Sequence, residues 1–431
     1  MPEHRLTEHR LTELSSGVRV VTEAMPSVRS AALGFWIGAG SSLEVEEHAG
    51  LSHFLEHLLF RGSARFDSLE IDQIFDAMGA ELNAGTGKDT TSVYARVLDR
   101  HLDQAFEVIH DMVWKPALVE VDAEREVILE ELAMYEDDPQ DKVFDVLGRA
   151  VFGEDALGRP IIGRRDVIAQ TPVETIAAFH RAHYEPRNVV VAAAGSVEHD
   201  DLVGLVEAAG PPPHAPGSSR SSDPHGGVYD HPSVRFERKD TEQYHVCLGS
   251  LGIPRHDDRR FALRVLDNIL GGTSSSRLFQ EIREKRGLAY AVYSFSAHYA
   301  TTGQVGVYLG TRGDNLAEAL RVAGAQLDRL LEDPASEDEL ARSKENVKGR
   351  VVLSLESTTT RMNRLGSSVL TGMPLLSVDE VIDRIDAVSL DDLRGLTEEL
   401  WRPDGISAAG IGPDEEVFRA ALEPVASGAA A

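Results

Sequence analysis

Two stretches of this chain, about 217 residues apart, carry one pattern. Tyr184-Glu-Pro-Arg-Asn-Val-Val-Val-Ala-Ala-Ala-Gly195 and Trp401-Arg-Pro-Asp-Gly-Ile-Ser-Ala-Ala-Gly410 each set an aromatic residue and a helix-ending proline before a strand of small residues. Earlier strand-like stretches also correspond. Gly17-Val-Arg-Val-Val-Thr and Ala31-Ala-Leu-Gly-Phe-Trp-Ile-Gly in the first half answer to Gln243-Tyr-His-Val-Cys-Leu-Gly in the second. Residues 211–227 lie between the halves and are rich in Pro, Gly and Ser, as linkers are. A duplicated unit must hold its own core, and 431 residues suit two cores rather than one. The expectation is an α+β fold with two homologous domains, 1–210 and 228–431, joined by the linker 211–227. Segments 67–78, 99–114 and about 257–270 read as helices, and Thr91-Ser-Val-Tyr-Ala-Arg-Val97 alternates like a strand. Each domain should therefore be an antiparallel sheet backed by helices.

Charge and hydropathy exclude several partners. Acidic residues number 71 against 43 basic ones, a net charge of −28, which argues against nucleic acid and anionic membrane surfaces. No apolar run approaches the length of a membrane span; the longest is about Val189–Ala194. The single cysteine, Cys247, excludes an internal disulfide, and the N-terminus has no apolar signal segment, so a cytoplasmic location is expected. Glu-His-Arg-Leu-Thr occurs twice, at 3–7 and 8–12, and reads as a frayed leader.

The chemistry concentrates in His53-Phe-Leu-Glu-His57, an H-x-x-E-H motif. On a helix His53 and His57 stand one turn apart on one face, so two imidazoles can hold one metal ion. Glu56 lies on the same side, where a carboxylate can take a proton from water. Leu51, Phe54, Leu55 and Leu58 form an apolar stripe around the motif, so the helix should be packed, and Gly62 should end it. A hydrolytic zinc site needs a third protein ligand. The helical stretch Glu124–Tyr135 offers candidates. Val127, Ile128, Met134 and Tyr135 define an expected buried face that carries Glu131 and Glu124, with Glu126 and Glu130 off it. Glu131 is the expected third ligand. Glu124 is expected to orient a ligand histidine through its other ring nitrogen.

These motifs resemble those of the M16 family of zinc metallopeptidases, over nearly the whole chain. Also matching are Gly158-Arg-Pro-Ile-Ile-Gly163, Leu270-Gly-Gly-Thr-Ser-Ser-Ser-Arg-Leu-Phe279 and Arg283-Glu-Lys-Arg-Gly-Leu-Ala-Tyr290. Length and motifs are most similar to the short bacterial members that resemble the mitochondrial processing peptidase. The resemblance implies a Zn²⁺ endopeptidase acting on peptides or unfolded segments inside a closed chamber. It implies that Asn83 and Ala84, in Ala80-Glu-Leu-Asn-Ala-Gly85, lie on a sheet edge that binds substrate backbone. It implies that Arg283 and Tyr290 of the metal-free half reach the substrate. Larger members hold four such units, so a homodimer is expected, or a heterodimer with a similar chain. The alternatives are a non-catalytic core or chaperone-like subunit, and a peptidase active only with a partner chain.

Overall fold

In the computed structural model, residues 9–210, 229 and 232–425 are described; the expected linker and the first copy of the N-terminal repeat lie outside them. The chain forms two compact units. One comprises Met1–Leu132, Pro160–Pro224 and Val352–Val378; the other comprises Ala133–Arg159, His225–Val351 and Asp379–Ala431.

The first unit is built on β1 (His9–Glu13), β2 (Arg19–Ala24), β3 (Ser30–Ile37), β4 (Glu81–Thr86), β5 (Thr91–Leu98) and β6 (Val189–Gly195), in the order β1-β2-β6-β3-β5-β4. The second is built on β7 (Val234–Arg238), β8 (Gln243–Gly252), β9 (Ala289–His298), β10 (Gly303–Arg312) and β11 (Ser407–Gly412), in the order β7-β11-β8-β10-β9. With β1 set aside, both sheets run first strand, last, second, fourth, third. The two aromatic–proline echoes lead into β6 and β11, which hold the same place. Each sheet is antiparallel except for one pair, β2 with β6 and β7 with β11. The reason is geometric in the first sheet: β6 lies between two strands of opposite direction, so it must run parallel to one of them.

After Ser30, the run to Ile37 is apolar, as is Val189–Gly195, because their sheet is covered on both faces. Phe35, Leu33 and Val191 pack on one side with the helices Leu51–Leu59, Ser68–Met78 and Leu102–Trp114. Val21, Ala32 and Val190 pack on the other with Met362 and Leu365 of the helix Thr358–Thr371, which comes from the second half of the sequence. Glycine permits that approach: a Cβ on Gly34 would stand 2.8 Å from the Met362 sulfur. Buried Glu23 fastens the same helix by pairing with Arg361 and with Arg364 at 2.9 Å. The second unit mirrors the exchange. The helix Pro139–Phe152, from the first half, packs Val143, Leu147 and Val151 with Cys247, Tyr308 and Ile411.

The second copy of the N-terminal repeat is not frayed. Its residues from His9 onward form β1, paired along its length with β2. Arg10 binds Asp200 through two hydrogen bonds, and His199 joins Thr12 and Thr22, each at 2.8 Å. Two partners beyond the strand's own sequence turn a polar pentad into a sheet edge.

Burial lowers His110, His180 and His199 below the usual 6.5. Below that value the unfolded chain takes up protons that the folded chain refuses. Stability present above pH 6.5 should therefore be lost as pH falls through the folded values, by about 1.4 kcal/mol per pH unit per histidine at most. Urea denaturation of zinc-free protein at pH 7.5 and 5.5 checks this; an unchanged midpoint would contradict it.

Candidate metal centre

The motif lies on the helix Leu51–Leu59, whose Leu51, Phe54, Leu55, Leu58 and Leu59 are buried. Each such side chain contributes about 1.5–3 kcal/mol of burial, which fixes the helix against the sheet. Its N-terminus is held by Glu44, whose carboxylate accepts from the amides of Gly50 at 2.7 Å and Ser52 at 2.6 Å. An anion there satisfies amides that no helix carbonyl can reach. Ile162 and Gly163 cross the same end. Gly50 (φ +98°) and Gly163 (φ +86°) touch so closely that a Cβ on Gly163 would stand 2.5 Å from Gly50 Cα. Backbone cannot give way there, so Gly163→Ala should cost roughly 2 kcal/mol or more. Denaturant titration of the zinc-free variant measures this, and a loss under about 0.5 kcal/mol would refute the packing argument.

Three side chains converge. One ligand atom each from His53, His57 and Glu131 lies within 4.8 Å of the others. Glu131 oxygens stand 3.7 Å from His53 Nε2 and 3.3 Å from His57 Nε2. Ligands of a tetrahedral zinc ion stand about 3.4 Å apart, so the donors need little movement to close on one. Glu124 accepts at 2.7 Å from His57 Nδ1. A carboxylate only accepts, so His57 carries its proton on Nδ1 and presents the Nε2 lone pair to the site. Arg61 pairs with the other oxygen of Glu124. The donor set fits zinc: two imidazoles, one carboxylate and an open fourth position.

The charges suit that reading. Burial, helped by His57 and partly opposed by Glu131, lowers His53 to about 4, so its ring is neutral at pH 7. The His57 hydrogen bond lowers Glu131 and keeps it anionic. For His57 itself burial acts downward, but Glu131 and Glu124 together raise it. Burial raises Glu56, against the hydrogen bond it accepts from Thr86 and the nearby His57.

The burial argument for Glu131 does not hold. On the helix Val121–Asp137 the buried residues are Glu124, Ile128 and Leu132, while Val127 is 46% and Met134 73% exposed. Glu131 is itself exposed. What brings it to the site is spacing: seven residues after Glu124 is two helical turns, so both carboxylates point to one side. Arg125 locks this helix in place, donating to the carbonyls of Ile168 and Thr171 and lying over the Phe54 ring at 5.3 Å.

Asn83 and Ala84 lie on β4, the strand at the sheet's open edge, rather than in a turn. Arg283 and Tyr290 belong to the second unit and touch each other. The Arg283 guanidinium lies 4.5 Å from the Tyr290 ring centre, and its Nη1 donates at 3.0 Å to the Tyr290 carbonyl. Tyr290 is the second residue of the edge strand β9 and is 78% exposed. Thr86, Glu44, Arg61 and Arg125 were not foreseen. Glu44 alone had a signal, an acid shortly before a packed helix without a Ser, Thr or Asp cap of its own.

Comparison with known proteins places this arrangement. Residues 19–165 match the family description Insulinase (Peptidase family M16), and residues 172–347 match Peptidase M16 inactive domain. An uncharacterized zinc protease of Streptomyces coelicolor is 42% identical over 97% of this chain and 93% of its own. The uncharacterized zinc protease YmxG of Bacillus subtilis is 38% identical over 90% of this chain and 95% of its own. In fold, the chain resembles a protease from Helicobacter pylori, with a TM-score of 0.87 at 21% identity over 95% of this chain and 100% of that one. Matches that together span most of the chain, and relatives this similar along its length, show that it belongs to peptidase family M16.

Proposed function

We propose that the chain is a zinc-dependent endopeptidase that hydrolyses peptides or unfolded polypeptide segments. The observation that carries this reading is the convergence of His53, His57 and Glu131 beside Glu56, with Glu124 holding His57. When bound, zinc supplies a Lewis acid that polarises water and the scissile carbonyl. Glu56 accepts the proton of the attacking water and returns it to the leaving amine. A peptide adds as a strand to the open edge of β4 along Asn83 and Ala84, held by main-chain hydrogen bonds with little regard to sequence. Tyr290 donates to the developing oxyanion, and Arg283 holds a substrate carbonyl. The working form is a homodimer, or a heterodimer with a similar chain, that encloses its substrate in a chamber and thereby excludes folded proteins. Among the described residues no helix is long and apolar enough to cross a membrane.

The purified chain, loaded with zinc, should cleave an unstructured peptide, lose that activity to a chelator and regain it with Zn²⁺. Cleavage unaffected by chelation would sink the reading. Analytical ultracentrifugation of the same sample tests the dimer.

A further inference from the structure

Thr86 closes β4, and two properties meet in it. The first is its side chain. Along β4, Leu82, Ala84 and Thr86 are half-buried while Glu81, Asn83 and Gly85 are exposed. On that inner face the Thr86 hydroxyl donates to Glu56 Oε2. The second is its backbone. The turn after β4 is closed by the Gly87 amide donating to the Thr90 carbonyl at 2.7 Å. Bonded and non-bonded pairs alternate along an antiparallel ladder. The pairs Thr86–Thr91 and Ala84–Val93 therefore direct their amides and carbonyls away from each other. For Thr86 and Ala84 that direction is the open edge of the sheet. Thr91, opposite, is buried and donates to the Ala39 carbonyl at 2.8 Å, so this end of the strand has little slack.

We infer that Thr86 is a positioning residue that sets the register between a peptide paired along β4 and the Glu56 carboxylate. The inference rests on the peptidase reading above. A strand added to this edge bonds to the backbone of Thr86, and to that of Ala84 by displacing the Asn83 Oδ1 to which the Ala84 amide donates at 2.8 Å. The side chain of that same Thr86 holds the carboxylate that serves the cut. The offset between the bound peptide and the base is then fixed within one residue, with no loop between them. Holding a catalytic group to a fraction of an ångström is where such contacts affect rate rather than binding.

The test compares wild type, Thr86→Val and Thr86→Ser. Valine keeps the branched shape and removes the donor; serine keeps the donor. In zinc-free protein with ¹³C-labelled glutamate, the Glu56 carboxyl resonance is identified by its loss in Glu56→Gln. It should move in Thr86→Val and return in Thr86→Ser; a resonance unmoved by valine overturns the inference. With zinc and an unstructured peptide, Thr86→Val should lower kcat about tenfold while KM stays within about twofold. Thr86→Ser should recover to within about threefold of wild type. Unchanged kcat in the valine variant, beside an active wild type, overturns the register role alone, as does an equal loss in both variants. An inactive wild type overturns the peptidase reading and the register role together.

Discussion

Replacing Glu56 by glutamine should lower kcat/KM for an unstructured peptide by about a thousandfold or more, with zinc content unchanged. Glutamine keeps the length of the side chain and an oxygen that can accept from Thr86, so the helix and that hydrogen bond persist. What it removes is a group able to take a proton near neutral pH. Burial raises the Glu56 carboxyl above its ordinary value, which makes it a better base than a surface glutamate while the nearby His57 and Thr86 keep it from rising freely. The change touches no ligand atom of the His53, His57 and Glu131 group. Turnover of an internally quenched peptide, beside zinc analysis of both proteins, measures the effect. A variant with more than about a tenth of wild-type activity would remove Glu56 from the role of base.

The second large effect concerns the ion. His57→Ala or Glu131→Ala should weaken zinc binding by well over a hundredfold, because each leaves two protein ligands where zinc sites use at least three. Glu124→Gln should cost less, about ten- to a hundredfold, because it loosens His57 without removing a donor. The ordering is the informative part. Glu124 is buried and Glu131 exposed, so a purely structural account would make Glu124 the more damaging site for zinc retention. Competition against a chelator of known affinity gives the three values. Equal losses at Glu124 and Glu131 would contradict the assignment of ligand and orienting residue.

Much of the site was legible because it is local. His53, Glu56 and His57 share one helix face, and Glu124 and Glu131 share one side of another, so helical periodicity alone brings each set together. The duplication was legible for a similar reason: the aromatic–proline signals mark the entries to β6 and β11 in both sheets. What escaped was long-range. Thr86 meets Glu56, and Arg61 meets Glu124, across gaps that no period spans. Periodicity shows that Thr358–Thr371 is amphipathic but not which sheet it covers, and the exchange with Pro139–Phe152 follows only from packing. The stripe expected around Glu131 failed because Val127 and Met134 face open space, where apolar residues also occur.

Anomalous scattering at the zinc absorption edge, from crystals of the zinc-loaded chain, tests the central claim most directly. The account expects one strong peak between His53 Nε2, His57 Nε2 and the Glu131 carboxylate in every copy. No peak there, or a peak held by other side chains, would contradict it.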